Sequence, residues 1–128
     1  MTTKTLEDFI GIPWKVGGRD FDGVDCGGLC MLAGKLLFGI YIPDIWRYDE
    51  TNNLKVAQTA FSWLSNSASK VEEPVNGDIV VFRTPSGYLH YGIVINGRML
   101  HISEASKSRL SRIPHGRHVS FWRLGKWA

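Results

Sequence analysis

Cysteine is scarce in this chain of 128 residues: there are two, Cys26 and Cys30. Four apart on one helix, they have poor geometry for a disulfide. No second cysteine pair exists to complete a zinc set. One or both are therefore expected as free thiols, and no metal is expected. Long apolar runs are also missing, and none approaches the roughly 20 residues needed to cross a membrane. Met1 to Asp8 is polar and carries no apolar signal-peptide core, which predicts synthesis in the cytoplasm and delivery by a route other than standard secretion. Repeats and low-complexity stretches are absent. So is a strong charge excess, the net charge being +3. That value fits a slightly basic soluble protein as well as one drawn to a polyanion.

What is present is an ordinary globular balance, 44% hydrophobic and 21% charged, which argues against disorder. The length suits one domain, residues 1–128, with a single core. Leu6, Phe9 and Ile10 give a short helical pattern with Thr5 as its N-cap. Residues 11–25 read as a glycine-rich loop. Cys26, Leu29, Cys30, Ala33 and Leu37 then recur at steps of three and four, the stripe of a helix that Gly39 stops. Residues 40–53 read as irregular, and Leu54, Ala57, Phe61 and Leu64 mark a further helix with Asn53 as a possible cap. After Pro74 the pattern changes. Asn76-Gly77-Asp78 signals a turn before a strand at 79–82, and Asn96-Gly97 is a strong hairpin signal between strands at 90–95 and 98–103. Further strands are expected at 109–113 and 119–124. Helices followed by an antiparallel meander make an α+β domain.

Cys26 stands where the loop meets the helix. An unperturbed thiol has a pKa of about 8.5, and a helix N-terminus together with an imidazolium lowers it. Cys26 is read either as a small buried hydrophobe or as a nucleophile. Cys30, one turn deeper on the stripe, reads as core. Gly27 and Gly28 each cost about 1 kcal/mol of helix propensity relative to alanine, which suggests that something approaches this backbone closely. A two-residue Asn96-Gly97 turn pairs Ile95 with Arg98. Counting back, Gly92 faces His101 and His90 faces Ser103. His90, Gly92, His101 and Ser103 then share one strand face, with the histidines in diagonal reach and Gly92 leaving room between them. The expected roles are His90 as general base and His101 as the group orienting its ring, with Ser103 as the alternative.

Gly11-Ile12-Pro13-Trp14, Gly17-Gly18, Asp25-Cys26-Gly27-Gly28-Leu29, Gly77-Asp78-Ile79-Val80-Val81-Phe82, His90-Tyr91-Gly92-Ile93 and Leu100-His101 resemble, in order, the motifs of the NlpC/P60 family of cell-wall peptidases. The resemblance covers about Leu6 to Leu124. It implies a papain-like core and hydrolysis of peptidoglycan stem peptides, typically between γ-D-glutamate and a diamino acid. It also implies Cys26 as nucleophile, His90 as base, His101 as third residue and Asp25 as a substrate contact, with no metal or organic cofactor. Two positions depart from the family: Gly27 replaces a serine, and Trp14 replaces a tyrosine that contacts the nucleophile region or the oxyanion. Trp14 N–H with the Cys26 backbone N–H is the expected oxyanion hole. The small size, the polar N-terminus and the Asp-Cys-Gly-Gly variant resemble tail-associated peptidases of phages and prophages. Such proteins are made in the host cytoplasm, built into the virion tail with tail-tip partners, and act on the host envelope.

The alternative is a structural tail-tip component that keeps the fold with little activity. A nucleic-acid site in the late cluster Arg109, Arg112, Arg117, Arg123 and Lys126, with His115, His118, Trp122 and Trp127, is disfavoured against strand pairing, packing and attraction to an anionic wall. Trp46, Tyr48, Tyr88 and Glu104 are further candidates to border a cleft, against plain loop packing or solvation.

Overall fold

The computed structural model describes residues 4–44, 46, 53–85, 87 and 89–125, with the side chains of 53–57 excepted. Tyr48, Tyr88, Lys126 and Trp127 lie outside the described residues, as does any capping by the Asn53 side chain. A 3-10 turn, Leu6–Phe9, opens the fold, and the Thr5 backbone N–H donates to the Asp8 carboxylate at 2.8 Å. Within the stretch expected as loop there is a small hairpin, β1 (Arg19–Asp20) and β2 (Gly23–Val24). Helix α1 runs Cys26–Phe38 and ends at Gly39, whose φ of 64° suits a residue without a side chain. Helix α2 runs Asn53–Ser67.

Six further strands form one antiparallel sheet: β3 (Ser69–Val71), β4 (Ile79–Arg83), β5 (Leu89–Ile95), β6 (Arg98–His101), β7 (Arg109–Arg112) and β8 (Val119–Arg123). Their spatial order is β3-β8-β4-β5-β6-β7. The meander expectation thus holds for β4 to β7 and fails at the end, because β8 returns to lie between β3 and β4. Alternation within a strand reports which face is buried, not which partner is chosen, so neither this insertion nor β3 was visible in the sequence. Asn96 and Gly97 carry φ of 52° and 74°, the paired positive values of a type I′ turn, and Ile95 pairs with Arg98 as expected. The Asn76-Gly77-Asp78 turn is held by Asp78, whose buried carboxylate accepts from Val75 N–H and from the Arg123 guanidinium.

The sheet has two faces of different character. Ile79, Val81, Tyr91, Ile93 and Leu100 pack with Leu29, Cys30 and Ala33 of α1 in the main core. The other face carries a smaller cluster, Val80, Val94 and Met99 beneath Phe82, Ile113, Val119 and Phe121. No helix among the described residues is long and apolar enough to cross a membrane. The architecture is α+β with the papain-like arrangement of a helix, α1, packed on an antiparallel sheet.

Candidate active site

Cys26 is the first residue of α1 and is 8% exposed, whereas Cys30 is fully enclosed. Neither is in a disulfide. Burial, with the charges of Cys26 and Asp25 nearby, pushes the Cys30 thiol well above the ordinary range, so Cys30 is core. Cys26 also lies within electrostatic reach of Tyr91, the chain neighbour of His90.

The N-terminus of α1 is fixed by Asp25. Its Oδ1 accepts from Gly28 N–H and from Arg19, both at 2.7 Å, and its Oδ2 accepts from Gly17 N–H at 2.8 Å. Asp25 is wholly buried. Three internal donors thus occupy its two oxygens, so Asp25 holds the helix start in place. Arg19, which the sequence reading passed over, ties this cap to Asp44 and to the Trp46 carbonyl. The expectation that something approaches Gly27 and Gly28 closely is met twice. A Cβ on Gly28 would lie 2.0 Å from the Gly18 carbonyl oxygen. A Cβ on Gly27 would lie 2.3 Å from the Trp46 ring. The family's serine is therefore absent because an indole takes its space. Trp46 is buried, stacks edge-on to Tyr91 at 5.3 Å, and keeps its indole N–H without an acceptor among the described residues.

On β5 and β6 the two histidines meet. His90 Nε2 lies 3.2 Å from His101 Nδ1. His101 Nε2 in turn lies 2.8 Å from Ser111 Oγ on β7. Ser111 Oγ also reaches its neighbour's carbonyl, Arg112 O, at 3.4 Å. These contacts select tautomers. If Ser111 donates to that carbonyl, it accepts from His101 Nε2–H, leaving His101 Nδ1 to accept from His90 Nε2–H. The remaining nitrogen, His90 Nδ1, then carries the lone pair a general base requires. Phe82 packs edge-on against His90 at 4.9 Å. Burial, then the like charges of His101 and Arg109, lower His90 to about 4. Burial and Arg109 lower His101 to about 4 as well. Both rings are thus neutral at physiological pH, which the tautomer chain needs.

Two expectations about this face change. The space above Gly92 is filled by Met99, whose Cγ would lie 2.5 Å from an added Cβ, so the glycine serves packing rather than the imidazoles. The β5–β6 ladder ends at the Ile93–Leu100 pair, one short of the expected Gly92–His101 pair, and Ser103 turns away. Its N–H and O close a tight loop with Ser106, and its hydroxyl accepts from Arg109 at 3.4 Å. Ser103 therefore does not orient His90, and Ser111 completes the set in its place. Nothing in the sequence marked Ser111, because the irregular 102–108 connection hides the β6–β7 register. Trp14 is half-buried, bridged to Val24 and bonded through its backbone N–H to Ser106 O at 3.0 Å, which ties it to the loop after His101. Glu104 is exposed. The late basic cluster disperses: Arg123 pairs with Asp78, Arg109 faces the histidines, Arg117 and His118 border a concavity with Lys70 and Arg83, and Arg112 and His115 line another. Among the described residues no three metal-ligating side chains converge.

The family model described as NlpC/P60 matches residues 11–122. The chain belongs to the NlpC/P60 family. It is 24% identical over 125 residues to the probable endopeptidase NlpC of Escherichia coli K12, covering 95% of this chain and 70% of that protein. Its fold is similar to the NlpC/p60 domain of the peptidoglycan hydrolase SagA (TM-score 0.53, 20% identity, 84% of this chain and 82% of that one). It is also similar to NlpC1 from Trichomonas vaginalis (TM-score 0.62, 22% identity), where it spans 92% of its own length and 40% of the other.

Proposed function

We propose that this NlpC/P60 domain is a cysteine endopeptidase acting on peptidoglycan stem peptides, with Cys26, His90 and His101 as its catalytic residues. The observation that carries the reading is the His90–His101–Ser111 chain, because it engages His90 Nε2 and leaves Nδ1 as the nitrogen that can accept a proton. A packing role does not require that tautomer order. In the proposed reaction His90 Nδ1 takes the Cys26 thiol proton as Sγ attacks the scissile carbonyl. The Cys26 backbone N–H and the Trp14 indole N–H receive the oxyanion. The tetrahedral centre collapses to a thioester as His90 returns the proton to the leaving amine. Water, deprotonated by His90, then releases the acid, and the proton goes back to the thiol.

Within the stem peptide we place the cut at the γ-D-glutamyl–diamino acid bond, as the family resemblance implies. We further infer a phage tail-tip component made in the host cytoplasm and acting on the host envelope, resting on the likeness of Asp25-Cys26-Gly27-Gly28 to tail-associated members. The test is digestion of purified wall fragments and of a defined γ-D-glutamyl–diamino acid peptide, with products identified by mass. The protein releases the diamino acid amine and Cys26→Ala does not. Equal product from both, or none from either, would return the chain to the structural reading.

A further inference from the structure

Resting on the peptidase reading, we propose that Arg109 determines substrate specificity by receiving a free carboxylate of the substrate beside the scissile bond. The register places it there. His101 and Arg109 are direct partners across β6 and β7, so their side chains leave the same sheet face. Ser111, two residues on, leaves that face too and holds His101. Arg109 therefore stands at the outer edge of the catalytic pair.

Its bonding is incomplete in a way that singles it out. Nη1 reaches Ser106 Oγ at 3.3 Å and Nη2 reaches Ser103 Oγ at 3.4 Å. These are long for a guanidinium, which bonds carboxylates at roughly 2.7–2.9 Å. Arg19 and Arg123 each hold a carboxylate at such distances, whereas no acidic side chain pairs with Arg109 among the described residues. The Arg109 side chain is exposed, with its fork lightly parked on two hydroxyls. A planar two-oxygen anion suits that fork better than a hydroxyl does. A γ-linked glutamyl residue supplies one, since its α-carboxylate remains three carbons from the carbonyl being cleaved. Seated there, it would also offset the positive charge that now disfavours protonation of both histidines.

The experiment compares two γ-D-glutamyl peptides identical except that the α-carboxylate of one is a carboxamide. The protein prefers the carboxylate by about tenfold in kcat/KM, the scale of one partly solvated charge contact. In Arg109→Gln that ratio falls towards one. Arg109→Lys, which keeps the charge and loses the fork, gives an intermediate ratio. Equal cleavage of the two peptides by the unaltered protein would overturn the inference and leave the peptidase reading intact. So would an undiminished ratio in Arg109→Gln. Cleavage of neither peptide would overturn both.

Discussion

Ser111 carries more of the site than its size suggests. Its hydroxyl is 2.8 Å from His101 Nε2 and, when it donates to Arg112 O, accepts from Nε2–H and so favours hydrogen on that nitrogen. Without it His101 can flip to the tautomer that points Nδ1–H at His90, and His90 then carries its hydrogen on Nδ1, where the proposed base needs a lone pair. Orienting groups of this kind typically contribute 10–100-fold. Ser111→Ala is therefore expected to lower kcat about tenfold with KM little changed, read by steady-state kinetics on a defined stem peptide. A matched rise in KM would instead make Ser111 a binding residue. The two histidines were legible because a two-residue turn fixes a register that can be counted. Ser111 was not, since seven residues of irregular chain separate β6 from β7. Asp25 was legible as important but its structural part was not, because sequence shows a carboxylate and not how many internal donors surround it.

At the scale of the element, packing at the start of α1 explains one of the two departures from the family pattern, the glycine at position 27. Gly28 admits the Gly18 carbonyl, and Gly27 admits the Trp46 ring. The sequence showed two helix-weakening glycines and hence a close approach. It did not show what approached, because Trp46 comes from a segment with no periodicity. Restoring the family's residue is therefore harmful here. Gly27→Ser would place its Cβ well inside contact distance of the indole. The expected cost is about 1–3 kcal/mol, typical of overpacking, measured by chemical denaturation. A neutral or stabilising result would mean that Trp46 leaves Gly27 readily in solution.

Across the whole molecule the two histidines make stability depend on pH. Folded, both are lowered to about 4. Unfolded, they take up protons from about 6.5. The unfolded chain thus binds more protons between these limits, so stability is full above pH 6.5 and declines as pH falls towards 4. Urea midpoints measured from pH 7 to pH 4 should drop, and the decline should flatten when both histidines are replaced by glutamine. An unchanged slope would place the acid sensitivity elsewhere. The α+β class, both helices and five of the strands followed from periodicity and turns. The place of β8 did not, since strand order is decided by long-range packing. The same holds for the late basic residues, which read as one cluster in sequence and separate onto an ion pair, the strand beside His101 and two concavities.

The most direct measurement is the alkylation rate of each cysteine between pH 5 and pH 9, in the protein and in His90→Ala, with the labelled peptide identified by mass. Cys26 is expected to be labelled and the enclosed Cys30 not. Cys26 is expected to react at neutral pH faster than an ordinary thiol, an advantage that His90→Ala removes. Identical profiles in the two proteins, both rising with a pKa of about 8.5, would contradict the pairing of Cys26 with His90.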